Sequence, residues 1–213
     1  MRQLAELILF AMTWTSLLCL GLALFRLKMT KYMPQSAISI VLLSQVSYVI
    51  QKFQLAFLVT TVQPIFFFIC VWLFFRLQWI HAVVMVLLTY IMALAFEIIF
   101  NWILSGFNYS EFLIIYREQY FIQGFGVSSL SFLAVYLLRR FRWGFSFAVP
   151  AQRTRMSSMS TLTKAALAIG TLSLTSTSLS LYIWNKWIMS AYGITFFLLA
   201  VLFHLAYLKE VSE

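Results

Sequence analysis

The chain has 213 residues, 63% of them hydrophobic and only 10% charged, with a mean hydropathy of +0.93. A water-soluble domain carries roughly 25% charged residues, so this composition has too little polar surface to face water. It excludes disorder, collagen, a disulfide-rich secreted module and an ordinary cytosolic enzyme, and it points to a membrane-embedded, all-α bundle forming one domain over residues 1–213.

In chain order, apolar runs bounded by charge predict about seven spans. The first, Leu4–Phe25, is too long for a signal-peptide core, carries Glu6, and lacks a small-x-small cleavage site before the basic loop of Arg26, Lys28 and Lys31. The second, Gln35–Ile50, is the shortest. Its Ser36, Ser39, Ser44, Gln45 and Ser47, with the tight Gln51-Lys52-Phe53-Gln54 junction, predict a segment packed against neighbours rather than facing lipid. Gln54–Phe75 and Trp79–Leu104 follow across a short turn. Ser105–Gln119 reads as an aqueous loop whose amphipathic stretch Phe112–Tyr116 lies on the surface. Tyr120–Leu138 is the fifth span, and Arg139–Thr161 reads as a basic, membrane-hugging linker. Leu162–Trp184 and Ile188–Leu208 complete the set; the hydroxyl-rich Gly170–Ser178 reads as close helix packing. No internal repeat is evident.

Charge orders these spans. The formal charge is +9, from 15 Lys and Arg against 6 acids, all of them Glu. Seven spans place 11 basic residues on one side (Arg26, Lys28, Lys31, Arg76, Arg139, Arg140, Arg142, Arg153, Arg155, Lys164, Lys209) and 4 on the other (Arg2, Lys52, Arg117, Lys186). The positive-inside rule then predicts the N-terminus outside and the C-terminus in the cytoplasm of a multi-pass cell-membrane protein. A six-span alternative, with the second segment flat or re-entrant, mixes the basic loops and weakens the bias. Trp79 and Trp143 fall at inner boundaries and Trp102, Trp184 and Trp187 at outer ones, where indoles anchor helices; Arg139, Arg140 and Arg142 meet headgroups. With the cations placed between apolar runs, nucleic-acid binding is rejected.

Polar groups inside hydrocarbon are the default place to look for function. Glu97, about two turns from the outer end of the fourth span, must be protonated, paired or water-facing, and Arg117 or Lys52 offers a partner. Gln45, Gln63 and Gln123 lie in the second, third and fifth spans, and Pro64 after Gln63 bends its helix and frees a carbonyl. With Glu97 they line a polar cavity open to the outside on one reading, and serve as interhelical hydrogen bonds without a ligand on the other. Cys19 and Cys70 lie inside apolar runs and read as small hydrophobes, not a disulfide or metal clip. Cys70 and His81 flank the turn at Arg76–Gln78, but no third group orients them and their order is the reverse of that in membrane peptidases that mature cyclic peptide pheromones. His204 reads as an interface histidine. Without a nucleophile elbow, a zinc motif or a P-loop, no enzyme and no cofactor is expected.

The order of short loops, the Lys52-Phe53 junction before a long apolar span, and Phe75-Arg76-Leu77-Gln78-Trp79 leading into Met85-Val86-Leu87-Leu88-Thr89-Tyr90-Ile91 resemble the membrane sensor region of accessory-gene-regulator-type peptide-pheromone histidine kinases. That resemblance implies six or seven spans and a peptide met by the outer half of the bundle, implicating Gln63, Glu97 and Ser105–Gln119 by position. The family continues into a kinase where this chain reads Lys209-Glu210-Val211-Ser212-Glu213, so the expectation is a truncated or stand-alone sensor-like protein. Its expected partners are the lipid bilayer, an extracellular peptide, and a signalling protein or second copy. A small membrane subunit of a transporter and a membrane scaffold are the alternatives. The topology predicts that cysteine placed at Ser110 reacts with an impermeant thiol reagent in intact cells and cysteine at Ser157 does not; the opposite pattern overturns it.

Overall fold

A computed structural model describes residues 2–53 and 59–145, with single positions at 197, 200, 201 and 204. Apart from those positions, the expected sixth and seventh spans, with Trp184 and Trp187, lie outside the described residues. The described chain is helical throughout: α1 (Arg2–Leu24), a short 3-10 turn (Met29–Tyr32), α2 (Met33–Lys52), α3 (Val59–Phe74), α4 (Trp79–Leu104), α5 (Tyr109–Glu118) and α6 (Tyr120–Arg140). Four helices are long and apolar enough to cross a membrane, over Gln3–Leu24, Met29–Lys52, His81–Leu104 and Tyr120–Arg140, and Val62–Phe74 is a shorter apolar helix. In lipid every backbone polar group must be satisfied within its own segment, which is why such apolar runs become helices.

Local chemistry sets the ends. Pro34 opens α2, where its missing N–H removes no helical bond. Pro64 lies inside α3, where its missing N–H removes one i→i−4 hydrogen bond. α4 runs 26 residues without glycine or proline, matching the expected bounds. α2 begins two residues before the expected span and ends two after it.

At one end of the bundle a tripeptide recurs: Phe25-Arg26-Leu27, Phe75-Arg76-Leu77 and Phe141-Arg142-Trp143 close α1, α3 and α6. In each the arginine is left-handed, at φ 51°, 53° and 54°. The turn returns the next N–H to the helix, Leu27 N donating to Leu22 O at 2.8 Å and Trp143 N to Leu138 O at 2.9 Å. Glycine is usual at this position, and a side chain there costs about 1–2 kcal/mol. The gain is placement: Leu27 and Leu77 tuck back into the core while each arginine is exposed.

The helices pack around α1, which touches α2, α4 and α6. From Leu17 to Phe25 every residue of α1 and its exit is buried, as expected of a helix apolar on all sides. α2 runs back along α1, with Trp14 meeting Ser47, and α4 does likewise, with Trp14 meeting Tyr90. α6 runs parallel to α1: Tyr120 Oη donates to Glu6 Oε1 at 3.1 Å near their starts, Ser128 Oγ lies 3.2 Å from Thr13 Oγ1, and Phe145 N donates to Leu24 O at 2.6 Å just beyond their ends. Parallel α1 and α6 are what alternating passes through α2, α3 and α4 produce. The second segment packs lengthwise on α1.

One end of the bundle thus gathers Arg26, Lys28, Lys31, Arg76, Arg139, Arg140 and Arg142, and is the basic end. There Arg26 Nη2 donates to Arg142 O at 2.9 Å, the rings of Phe25 and Phe145 lie 6.0 Å apart, and Gly144 lets the chain pass Leu24 O, where a Cβ would sit 2.7 Å away. The other end carries α5, and the aqueous-loop expectation for Ser105–Gln119 is corrected there. Tyr109–Glu118 is a helix whose Phe112 and Ile115 are buried, because an amphipathic face this close to α4 and α6 gains more by packing on them than by lying free.

α6 approaches α4 through Gly126, where a Cβ would overlap the Phe100 ring. Gly126→Ala should therefore destabilise the bundle by about 1–3 kcal/mol in detergent unfolding, the usual cost of overpacking. Phe100→Leu in the same chain should recover part of the loss.

Candidate functional site

Three of the polar residues singled out by sequence sit inside the bundle, and two of them are hydrogen-bonded to a neighbouring helix. Ser47 in α2 accepts from Trp14 Nε1 at 2.8 Å and from Gln63 Nε2 at 2.9 Å, and donates to Leu43 O at 2.9 Å. A hydroxyl has one donor and two acceptor sites, so this group is saturated and joins α1, α2 and α3 in one node. The Trp14 ring packs 5.6 Å from Phe67 and 6.3 Å from Tyr90, and Phe67 lies 6.1 Å from Tyr90, adding α4 to the node. Gln63 is accordingly a structural hydrogen-bonding residue of the kind the sequence offered as the alternative to a ligand contact.

Gln123 is the second. It is buried in α6, and its Nε2 donates to Ile115 O at 2.8 Å, closing the last turn of α5 onto α6. At the start of α5, Asn108 Oδ1 accepts from Ser110 N at 3.1 Å and from Ser110 Oγ at 2.8 Å. Trp102, expected at the outer boundary, is partly buried beneath α5, its ring 5.3 Å from Phe112 and 6.1 Å from Phe107. α5 thus has its first turn capped by Asn108 and is held on α4 and α6 by buried Phe112 and Ile115 and by the Gln123 bond at its last turn. Arg117 stands in its last turn, and its side chain lies outside the described residues.

The third, Glu97, is half-buried in α4, and among the described residues no hydrogen bond or ion pair satisfies it. Lys52 is exposed at the end of α2 and forms no pair with it. One turn further along, Asn101 is completely buried, and neither its amide nitrogen nor its oxygen has a partner among the described residues. Two turns back, the Tyr90 hydroxyl is also buried and unpartnered. At 100° per residue, Tyr90, Glu97 and Asn101 fall within about 40° of arc on one face of α4. A buried group without a partner costs about 1–3 kcal/mol; Tyr90 and Asn101 are two such groups on one stripe with half-buried Glu97 between them, while Gln35, Ser36 and Ser131 carry others elsewhere in the described bundle. Sequence reading missed Asn101 and Tyr90; the signal was their spacing of four and seven residues from Glu97.

Gln45 does not belong to this site. It is exposed, on a face of α2 turned away from Leu43 and Ser47, because a helix that buries Leu43, Ser44 and Ser47 carries residue 45 to the outside. Of the remaining anchors, Trp79 and Trp143 are 48% and 64% exposed, and Arg139, Arg140 and Arg142 are exposed at the basic end. Cys19 and Cys70 are buried and free. Among the described residues no cluster of His, Cys, Asp or Glu is arranged to hold a metal.

Four apolar helices of spanning length around a shared core define a helical membrane protein. Comparison with protein-family models, with curated proteins and with solved structures finds no match for the chain.

If the Asn101 amide is kept unpaired for function, removing it should help the fold. Asn101→Leu, which keeps the branched heavy-atom layout, should raise unfolding stability by about 1–3 kcal/mol where the site accommodates the larger methyl groups. A loss of stability of that size would show that the amide is satisfied in the native bundle.

Proposed function

We propose that this chain is a non-enzymatic, multi-pass protein of the cell membrane that senses an extracellular peptide or amphiphile at the α5 end of its bundle and signals through a partner at the basic end. The observation that carries this reading is Asn101, completely buried beside Glu97 with both ends of its amide unpartnered. A ligand bringing an amide or hydroxyl into that stripe gains hydrogen bonds that the empty protein forgoes, and such gains are large where water is excluded. α5, ten residues long, lies at this end of α4 and α6, packed through Phe112 and Ile115 and bonded to Gln123. The positive excess at the other end orients the α5 end outward.

Signal transfer follows from the packing. A ligand between α4 and α5 biases how α4 and α6 sit against α1, and α1 is buried along its second half and tied to the segment after α6 by the Arg26–Arg142 and Phe145–Leu24 bonds. A ligand shifts such an arrangement only by its preference for one packing over another. The second reading, a transport subunit, is favoured by Tyr90, whose unpartnered hydroxyl carries the polar stripe about 16 Å along α4, well into the bilayer.

Peptides secreted by the host should protect cysteine at Ser110 from an impermeant label. Glu97→Gln and Asn101→Ala should each weaken that protection at least about tenfold, the equivalent of about 1.4 kcal/mol. Labelling unaffected by any secreted peptide contradicts the sensor reading, and solute uptake that depends on Glu97 favours transport.

A further inference from the structure

The outward position of Gln45 removes it from the ligand site and gives it another use. α2 crosses the membrane with one face covered by α1 and α3 and the other exposed. The exposed face carries Ile38, Val41, Leu42, Gln45 and Val49, at 51%, 57% and 42% exposure for the first three and 49% for the last. These positions fall at i, i+3, i+4, i+7 and i+11, the spacing of a helix-to-helix seam. Gln45 is its single polar member. It lies about 10 Å from Lys52 and further from the other end of α2, too deep for a side chain of its length to reach the headgroups. Among the described residues nothing hydrogen-bonds to its amide.

A primary amide facing hydrocarbon at that depth is costly unless a partner reaches it in the membrane. We propose that this face of α2 is the contact between two copies of the chain, with the Gln45 amides hydrogen-bonded to each other across a two-fold axis along the membrane normal. Two features select a second copy over another occupant. A primary amide carries both donors and acceptors, so it complements itself. Two copies inserted in the same orientation also place their Gln45 residues at the same depth, as an isologous contact requires. Val41 and Val49, one turn to either side, supply the apolar packing.

The test uses the full chain in lipid vesicles. Cysteine at Val41 or Val49 should form disulfide-linked dimers under mild oxidation. Cysteine at Leu133, equally exposed on α6, should not, and Cys19 and Cys70 are buried and should stay silent. Single-molecule photobleaching should find two copies per complex. Gln45→Leu should weaken dimerisation roughly 3- to 30-fold while leaving monomer unfolding unchanged, and Gln45→Asn, which keeps the amide, should restore most of the affinity. A monomeric wild-type chain, whether its α2 face is covered by residues beyond 145 or by a different protein, overturns the proposal. Crosslinking at Leu133 instead, or a Gln45→Leu dimer as tight as wild type, overturns it equally.

Discussion

The hydroxyl of Ser47 holds the bundle at its centre. It receives Trp14 from α1 and Gln63 from α3 and returns its own proton to the α2 backbone, so one small side chain fixes three helices with no unused hydrogen-bonding capacity. Between helices in lipid there is little hydrophobic gain to be had, because the tails are as apolar as the side chains. Close packing and directed hydrogen bonds must therefore set which faces meet. The Trp14, Phe67 and Tyr90 rings around the node supply the first, and Ser47 supplies the second.

From that node outward the two ends are built differently. Toward the basic end left-handed arginines close the helices and Arg26 bonds to the carbonyl of Arg142, while Gln35 Oε1 and Ser36 Oγ at the start of α2 are buried without a partner among the described residues. Toward the α5 end, Gln123 bonds α5 to α6 and Asn108 caps its first turn, while Glu97 and Asn101 have no partner among the described residues. A buried polar network is stable when complete and costly when partial.

Much of this was legible in the residues. The bounds of α4, the start of α6 and the basic end could be read from apolar runs and charge alone, because span length and positive-inside bias are imposed by the bilayer rather than by tertiary detail. α5 was not, since ten residues with a charged face look the same whether they lie on a membrane or on two neighbouring helices. Gln45 was misplaced for a related reason: composition says that a segment is polar, but only the phase of the helix says which side the polarity is on. Glu97 stood out as a charge in an apolar run, whereas Asn101 and Tyr90 did not, because an amide or a phenol in a membrane helix usually finds a partner and gives no warning when it fails to. The tripeptide closing α1, α3 and α6 was visible as letters, but its meaning lies in the left-handed arginine that the letters do not show.

The central claim is that the Trp14–Ser47 bond organises the packing on which both ends rely. A double-mutant cycle with Trp14→Phe and Ser47→Ala, read by reversible unfolding in detergent or bicelles, tests it most directly. The account predicts a coupling of about 0.6–1.7 kcal/mol, the range found for interhelical hydrogen bonds in membranes. Strictly additive effects of the two substitutions would contradict it.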